Sequence, residues 1–159
     1  TLHGRHRHMR AGVRAGGLFW GGSRREETAN RRRVEEIVEF LELERVRKEL
    51  VASLPFGVQK LVAIGRALAM EPTLLLLDEP STGMNREEKE NLARFLLRIK
   101  HELATTMLWV EHDMELVGDL ADTVTVLDFG RKIAAGPPAE VLRDPAGAEA
   151  YLGRAYARG

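Results

Sequence analysis

The chain has 159 residues, no cysteine, and 24 basic residues set against 24 acidic ones. Its length can enclose a sizeable core, and 44% hydrophobic with 30% charged residues describes a globular chain, not a disordered one. No apolar run approaches the roughly 18 residues of a membrane-spanning helix, and the basic, His-rich start lacks the apolar core of a signal peptide. Without cysteine there are no disulfides and no thiolate metal sites. The zero net charge hides a split: residues 1–33 hold nine Arg and two Glu, a balance of +7, and residues 34–159 hold 15 basic and 22 acidic residues, a balance of −7. The first residue is Thr1, which leads to the expectation that the natural start is missing.

In chain order, residues 1–33 mix Arg, Gly and His with Phe19 and Trp20 and read as loop and irregular helix. His3, His6 and His8 have no carboxylate among them and read as a solvated basic segment, not a metal site. The same arginines lack a nucleic-acid motif and aromatic interleaving, so no nucleic-acid partner is expected. From about Glu26 the chain turns helical: Val34, Ile37, Val38 and Leu41 recur at i, i+3, i+4 and i+7, with Glu35, Glu36, Glu39 and Glu42 between them. A short segment, Glu44 to Val51, precedes a break at Ser53-Leu54-Pro55-Phe56-Gly57. Helix resumes from about Val58 to Met70, with Leu61, Val62, Ile64 and Leu68 facing inward.

After Glu71-Pro72 the texture changes. Thr73-Leu74-Leu75-Leu76-Leu77 is a short continuous apolar run, as in a central strand buried on both faces. An amphipathic helix from Arg86 to Leu103 follows, with Leu92, Phe95, Leu96 and Ile99 on its apolar face. Thr106 to Val110 is the second strand, a short helix through Leu116 and Leu120 comes next, and Thr123 to Leu127 is the third. Asp128-Phe129-Gly130-Arg131 is a turn into a fourth strand, Lys132 to Ala135, and Pro137-Pro138 opens two short helices ending near Tyr151-Leu152. Strand and helix alternate as in an α/β parallel sheet. The divisions are thus a basic segment at 1–33, a helical part at 34–70 and an α/β part at 71–159.

Chemistry gathers where strands end, the ligand side of open α/β sheets. Asp78 and Glu79 follow the leucine run. Asp78 suits the water shell of a Mg²⁺ ion, and Glu79 suits polarising an attacking water. By itself the pair is equally a charged turn capping the next helix. His112 ends the neighbouring strand, where an imidazole can donate to a terminal phosphate; alone it would be a solvated turn residue. Leu54 to Lys60 is a tight turn entering a helix, where Gly57 permits close backbone approach and the helix start offers N–H groups to an anion.

In order and spacing these residues resemble the second part of the nucleotide-binding domain of ATP-binding cassette (ABC) transporters. Leu54, Pro55, Phe56, Gly57, Val58 and Gln59 correspond to the signature motif, usually LSGGQ, and Leu74 to Asp78 to the Walker B strand. Glu79 stands at the catalytic glutamate, Thr82-Gly83-Met84-Asn85 at the D-loop and His112 at the switch histidine; Gly65 to Ala69 is also typical. Leu-Pro-Phe-Gly, Gly-Met-Asn, the ending Ala150-Tyr151-Leu152-Gly153 and the start Gly4-Arg5-His6-Arg7-His8 are similar to ATPase subunits of branched-chain amino acid importers. Three residues depart from the general pattern: Pro55 replaces a Ser hydroxyl, Val58 a Gln, and Asn85 an Asp.

The resemblance implies an α/β fold, the C-terminal part of an ABC-type P-loop NTPase domain with a helical subdomain and a parallel-sheet core. It implies ATP and Mg²⁺ as cofactors, with Glu79 and His112 catalytic, Asp78 on the metal, and residues 54–59, Gly83 and Asn85 toward nucleotide. The implied partners are a second ATPase subunit, transmembrane permease subunits and, indirectly, a substrate-binding protein outside the cell, which places the chain at the cytoplasmic face of the membrane. The P-loop G-x-x-x-x-G-K-[ST] is absent, since Gly-Lys occurs nowhere in the chain. Gly17 and Gly22 have its spacing, but Ser23 stands where Lys is required and Arg24 where Ser or Thr is. The expectation is therefore a chain that begins after the glutamine loop and is inactive by itself. The alternatives are a non-hydrolytic module that docks on a complete ATPase, and a non-transport ABC ATPase.

Overall fold

A computed structural model describes residues 22–143, with side chains from Glu27 onward. The expectations for the His-rich start, for Phe19 and Trp20, and for the final helix at Tyr151-Leu152 lie outside the described residues. The chain divides into two compact units, Thr1–Val110 and Glu111–Gly159.

In the first unit α1 (Gly22–Phe40) leads through two 3-10 turns, Glu44–Val46 and Val51–Ser53, to α2 (Phe56–Leu68), β1 (Leu74–Asp78), α3 (Arg86–Glu102) and β2 (Thr106–Val110). The apolar stripe of α1 is buried at all four expected positions, Val34, Ile37, Val38 and Leu41, while Glu35, Glu36 and Glu39 remain exposed. Helix α2 buries Leu61, Ile64 and Leu68, and Val62 is only half-buried. The two helices approach closely at Gly65, where an added Cβ would lie 2.9 Å from Leu41 Cδ1. Helix α3 opens on a capping box. Asn85 Oδ1 accepts from the Glu88 N–H (2.9 Å), and the Glu88 carboxylate accepts from the Asn85 N–H (3.0 Å). Its face of Leu92, Phe95, Leu96 and Ile99 is fully covered.

A charged cluster ties α3 to the end of α1. Arg94 donates to both oxygens of Glu42, at 2.6 and 2.8 Å, and Arg98 donates to Phe40 O at 2.7 Å with its guanidinium 4.3 Å from the Phe40 ring. The Arg94 hydrogen bond holds the Glu42 carboxyl below the ordinary glutamate value of 4.5. A carboxyl depressed in the folded state contributes stability that is fully present above its unfolded value and lost as pH falls through the folded one. Acid titration should therefore show a loss of stability beginning below about pH 4.5, smaller at high salt because both groups are half-exposed. Arg94→Ala should reduce that component of the pH profile to the weaker share of Arg98, 3.9 Å from Glu42; an unchanged profile in urea unfolding would count against the pairing.

Strands β1 and β2 are parallel, running from Leu74 opposite Thr106 to Asp78 opposite Val110. The leucine run is not buried on both faces as its composition suggests. Leu75 is buried, but Leu74, Leu76, Leu108 and Val110 are 48–66% exposed. A strand with leucine at both parities has two apolar faces, and among the described residues only one of them is covered.

The second unit contains α4 (Met114–Leu120), β3 (Val124–Asp128), β4 (Arg131–Gly136) and α5 (Pro138–Val141). The parallel-sheet expectation fails for β3, which pairs antiparallel with β4. The cause is local. Two residues connect the strands, and the type I′ form of a two-residue hairpin has left-handed backbone at both, as at Phe129 (φ +43°) and Gly130 (φ +77°). Helix α4 buries Leu116, Val117 and Leu120.

Candidate functional site at the signature turn and the end of β1

Three segments meet in the first unit: the turn entering α2, the residues after β1, and the turn entering α3. Leu54 is buried and Pro55 is exposed at the N-cap of α2, where it offers no side-chain cap. Helix begins at Phe56, so Phe56, Gly57 and Val58 form its first turn and not a preceding loop. Gln59 closes the turn on itself, its Nε2 donating to Leu54 O at 2.8 Å and its N–H to Pro55 O at 3.0 Å. The Gly57 N–H, an amide without an intrahelical acceptor, donates to Glu88 Oε1 at 3.0 Å.

Glu79 follows β1 with left-handed backbone, φ +44°, a conformation costly for a non-glycine residue that persists only when its surroundings fix it. Here they do. The Glu79 N–H donates to Val110 O (2.9 Å), its carbonyl accepts from Lys60 Nζ (3.1 Å), and its Oε2 accepts from the Thr82 hydroxyl (3.0 Å). The carboxylate of Glu79 is thus held over the turn that follows it. Asp78, at the exposed end of β1, pairs in register with Val110. Gly83 has φ +82°, and a Cβ there would come 2.9 Å from Phe56 Cε1, so only glycine accommodates both the turn and the ring. Lys60 lies 5.5 Å from the same ring.

The structure therefore brings together residues 54–59, Glu79, Gly83 and Asn85. His112 belongs to the second unit, where it is exposed and its N–H donates to Glu111 Oε2 at 2.9 Å. It stands just before Asp113, the N-cap of α4, whose Oδ1 accepts from the Leu116 N–H at 3.2 Å. Three contributors carry no individual role in the sequence: Lys60 and Thr82 stand there only as members of the turn and the D-loop, and Glu88 not at all. Only Glu88 left a signal, the Asn-x-x-Glu spacing of a capping box. Among the described residues no group of three His, Asp or Glu gathers to hold a metal by itself. A lone Asp78 suits a Mg²⁺ that takes its remaining oxygens from water and phosphate.

These three segments sit in a mixed α/β fold that matches ATP-binding cassettes of the ABC class over part of their length. The family described as "ABC transporter" matches residues 5–82, and "Branched-chain amino acid ATP-binding cassette transporter" matches residues 131–157. The chain belongs to the ATP-binding domains of ABC transporters.

Among its relatives is the high-affinity branched-chain amino acid transport ATP-binding protein BraF of Pseudomonas aeruginosa, 30% identical over 97% of this chain and 60% of that protein. LivG of Escherichia coli K12 has the same identity and coverage. A sulfate/thiosulfate import ATP-binding protein, CysA of Bradyrhizobium diazoefficiens, is 35% identical over 77% of this chain and 36% of that protein. Among solved structures, an ATP-binding cassette of an ABC transporter in its ADP conformation superposes with TM-score 0.72 at 31% identity, over 79% of this chain and 50% of that one. The chain spans about 60% of the length of BraF and LivG. No helix among the described residues is long and apolar enough to cross a membrane.

Proposed function

We propose that the chain is part of the ATP-hydrolysing subunit of an importer for branched-chain or other amino acids, working at the cytoplasmic face of the membrane. The observation that carries this reading is the joining of the Gly57 turn, Glu79 and the Gly83–Asn85 turn in one unit. In the complete subunit, bound ATP supplies the phosphoryl group and Mg²⁺ neutralises its developing charge. Residues Leu54 to Gln59, with Gly83 and Asn85, would border the nucleotide. Asp78 would hold the Mg²⁺ shell, Glu79 would take a proton from the attacking water, and His112 would donate to the terminal phosphate. The partners of this reading are a second ATPase subunit and permease subunits, with a substrate-binding protein engaged through the permease.

The amino-acid assignment is favoured by BraF and LivG and by the match at residues 131–157, whereas CysA serves a different cargo. The test is ATP hydrolysis by the complete subunit with its permease in lipid vesicles. Stimulation by leucine, isoleucine or valine with their binding protein is expected. Stimulation by sulfate alone would overturn the cargo, and absence of nucleotide turnover would overturn the reading. The 159-residue chain alone lacks Gly-Lys-[Ser/Thr] and is expected to show no ATP turnover. Turnover that disappears in Glu79→Gln would contradict this.

A further inference from the structure

The first turn of α2 has no cap of its own. Pro55 occupies the N-cap position and carries no hydrogen-bonding side chain, so the Gly57 N–H needs an acceptor from elsewhere. That acceptor comes from 31 residues away: Glu88 Oε1 at 3.0 Å. The other oxygen of the same carboxylate accepts the Asn85 N–H, also at 3.0 Å. We propose that Glu88 is a positioning residue whose carboxylate fastens the first turn of α2 to the first turn of α3. The Gly57 turn and the Gly83–Asn85 turn then move as one block.

Two further observations support the fastening. While Glu88 holds this position the fit at Gly57 leaves no room for a side chain, since a Cβ would meet Glu88 Oε1 at 2.7 Å and Glu88 Cγ and Cδ at 2.9 Å. Glycine at this position therefore does more than offer a flexible turn: it lets the carboxylate reach the amide. The same two turns touch a second time, where the Phe56 ring packs on Gly83. The Gly57 bond to Glu88 is part-buried, and a carboxylate accepting amide N–H groups is among the stronger hydrogen-bonding arrangements. Lys60 extends the block to Glu79 through its bond to the Glu79 carbonyl. A displacement of the Gly83–Asn85 turn would thus carry to the α2 turn directly.

The consequence for nucleotide handling rests on the proposed ATPase reading; the fastening itself does not. It is tested on the 159-residue chain without nucleotide, by amide hydrogen exchange and resonance shifts in wild type, Glu88→Ala, Glu88→Gln and the neighbouring exposed Glu87→Ala. Glu88→Ala should speed exchange at both Gly57 and Asn85 by about tenfold, and shift the Phe56 ring and Gly83 resonances with them. Glu88→Gln has a single carbonyl oxygen for two amides and should lose protection at one of them while α3 stays formed, which keeps the test usable if Glu88→Ala does not fold. Glu87→Ala should change neither amide. A carboxylate that merely capped α3 would alter Asn85 and leave Gly57, Phe56 and Gly83 unmoved, and that result would overturn the proposal. Failure of the ATPase assay would instead count against the function, because these resonances are read without ATP.

Discussion

Glu79→Gln in the complete subunit should lower ATP turnover by about 10²–10⁴-fold, the usual worth of a positioned general base. The substitution is nearly isosteric and leaves the anchors of the residue intact. Its N–H bond to Val110 O and its carbonyl bond from Lys60 are backbone contacts, and an amide can still pair with the Thr82 hydroxyl. Nucleotide affinity and the thermal unfolding midpoint should therefore remain near those of the unaltered protein while turnover collapses. Measured together, the three quantities separate loss of a base from loss of a fold. Turnover close to wild type would remove Glu79 from the proposed catalytic role.

Phe95→Ala should destabilise the chain by about 3–5 kcal/mol, a large share of the roughly 5–15 kcal/mol that holds an ordinary domain together. Phe95 is 1% exposed and shares its face of α3 with Leu92, Leu96 and Ile99. Its ring also receives the Arg94 guanidinium at 4.3 Å, the side chain that grips Glu42 beyond the end of α1. Truncation opens a cavity in the core and removes the surface on which Arg94 lies, so loss of packing and loss of the α1–α3 tie coincide. Leu97→Ala, on the more exposed side of the same helix, is the control and should cost far less, nearer the about 0.5 kcal/mol of surface changes. Equal costs in urea unfolding would show that Phe95 is not a core anchor.

Much of the fold was legible because it is written in short periods. The i, i+3, i+4, i+7 stripes of α1 and α3 mark the residues that are buried, and β2 spans the five residues expected of it. Helix α2 starts two residues before Val58, where its pattern points, since Phe56 and Gly57 resemble the end of a loop when the acceptor for the Gly57 amide is not in view. The leucine run of β1 suggests burial on both faces, yet Leu74 and Leu76 are exposed. Its composition reports that both faces are apolar, not what covers them. The antiparallel pairing of β3 and β4 could have been inferred from the two-residue connection at Phe129-Gly130. Alternation of strand and helix earlier in the chain pointed instead to a parallel partner.

The candidate site divides in the same way. Asp78, Glu79, residues 54–59 and the Gly83–Asn85 turn were visible as residue types at strand and helix ends, and their order along the chain carried the resemblance to ABC ATPases. The bonds that assemble them were not visible. Lys60 reaches the Glu79 carbonyl across 19 residues and Glu88 reaches Gly57 across 31. Neither Lys nor Glu on a helix is informative by type, since most such side chains are solvated.

What the sequence by itself determined is therefore the set of elements, the buried stripes of the helices and the family, because period, turn chemistry and motif order are local properties of the chain. What only the tertiary structure decided is which faces are covered, the direction in which β3 is paired, and the fastening of the two turns by one carboxylate. Those outcomes depend on which groups from distant segments arrive within about 3 Å of each other, and only the packing of α2, β1 and α3 sets that distance.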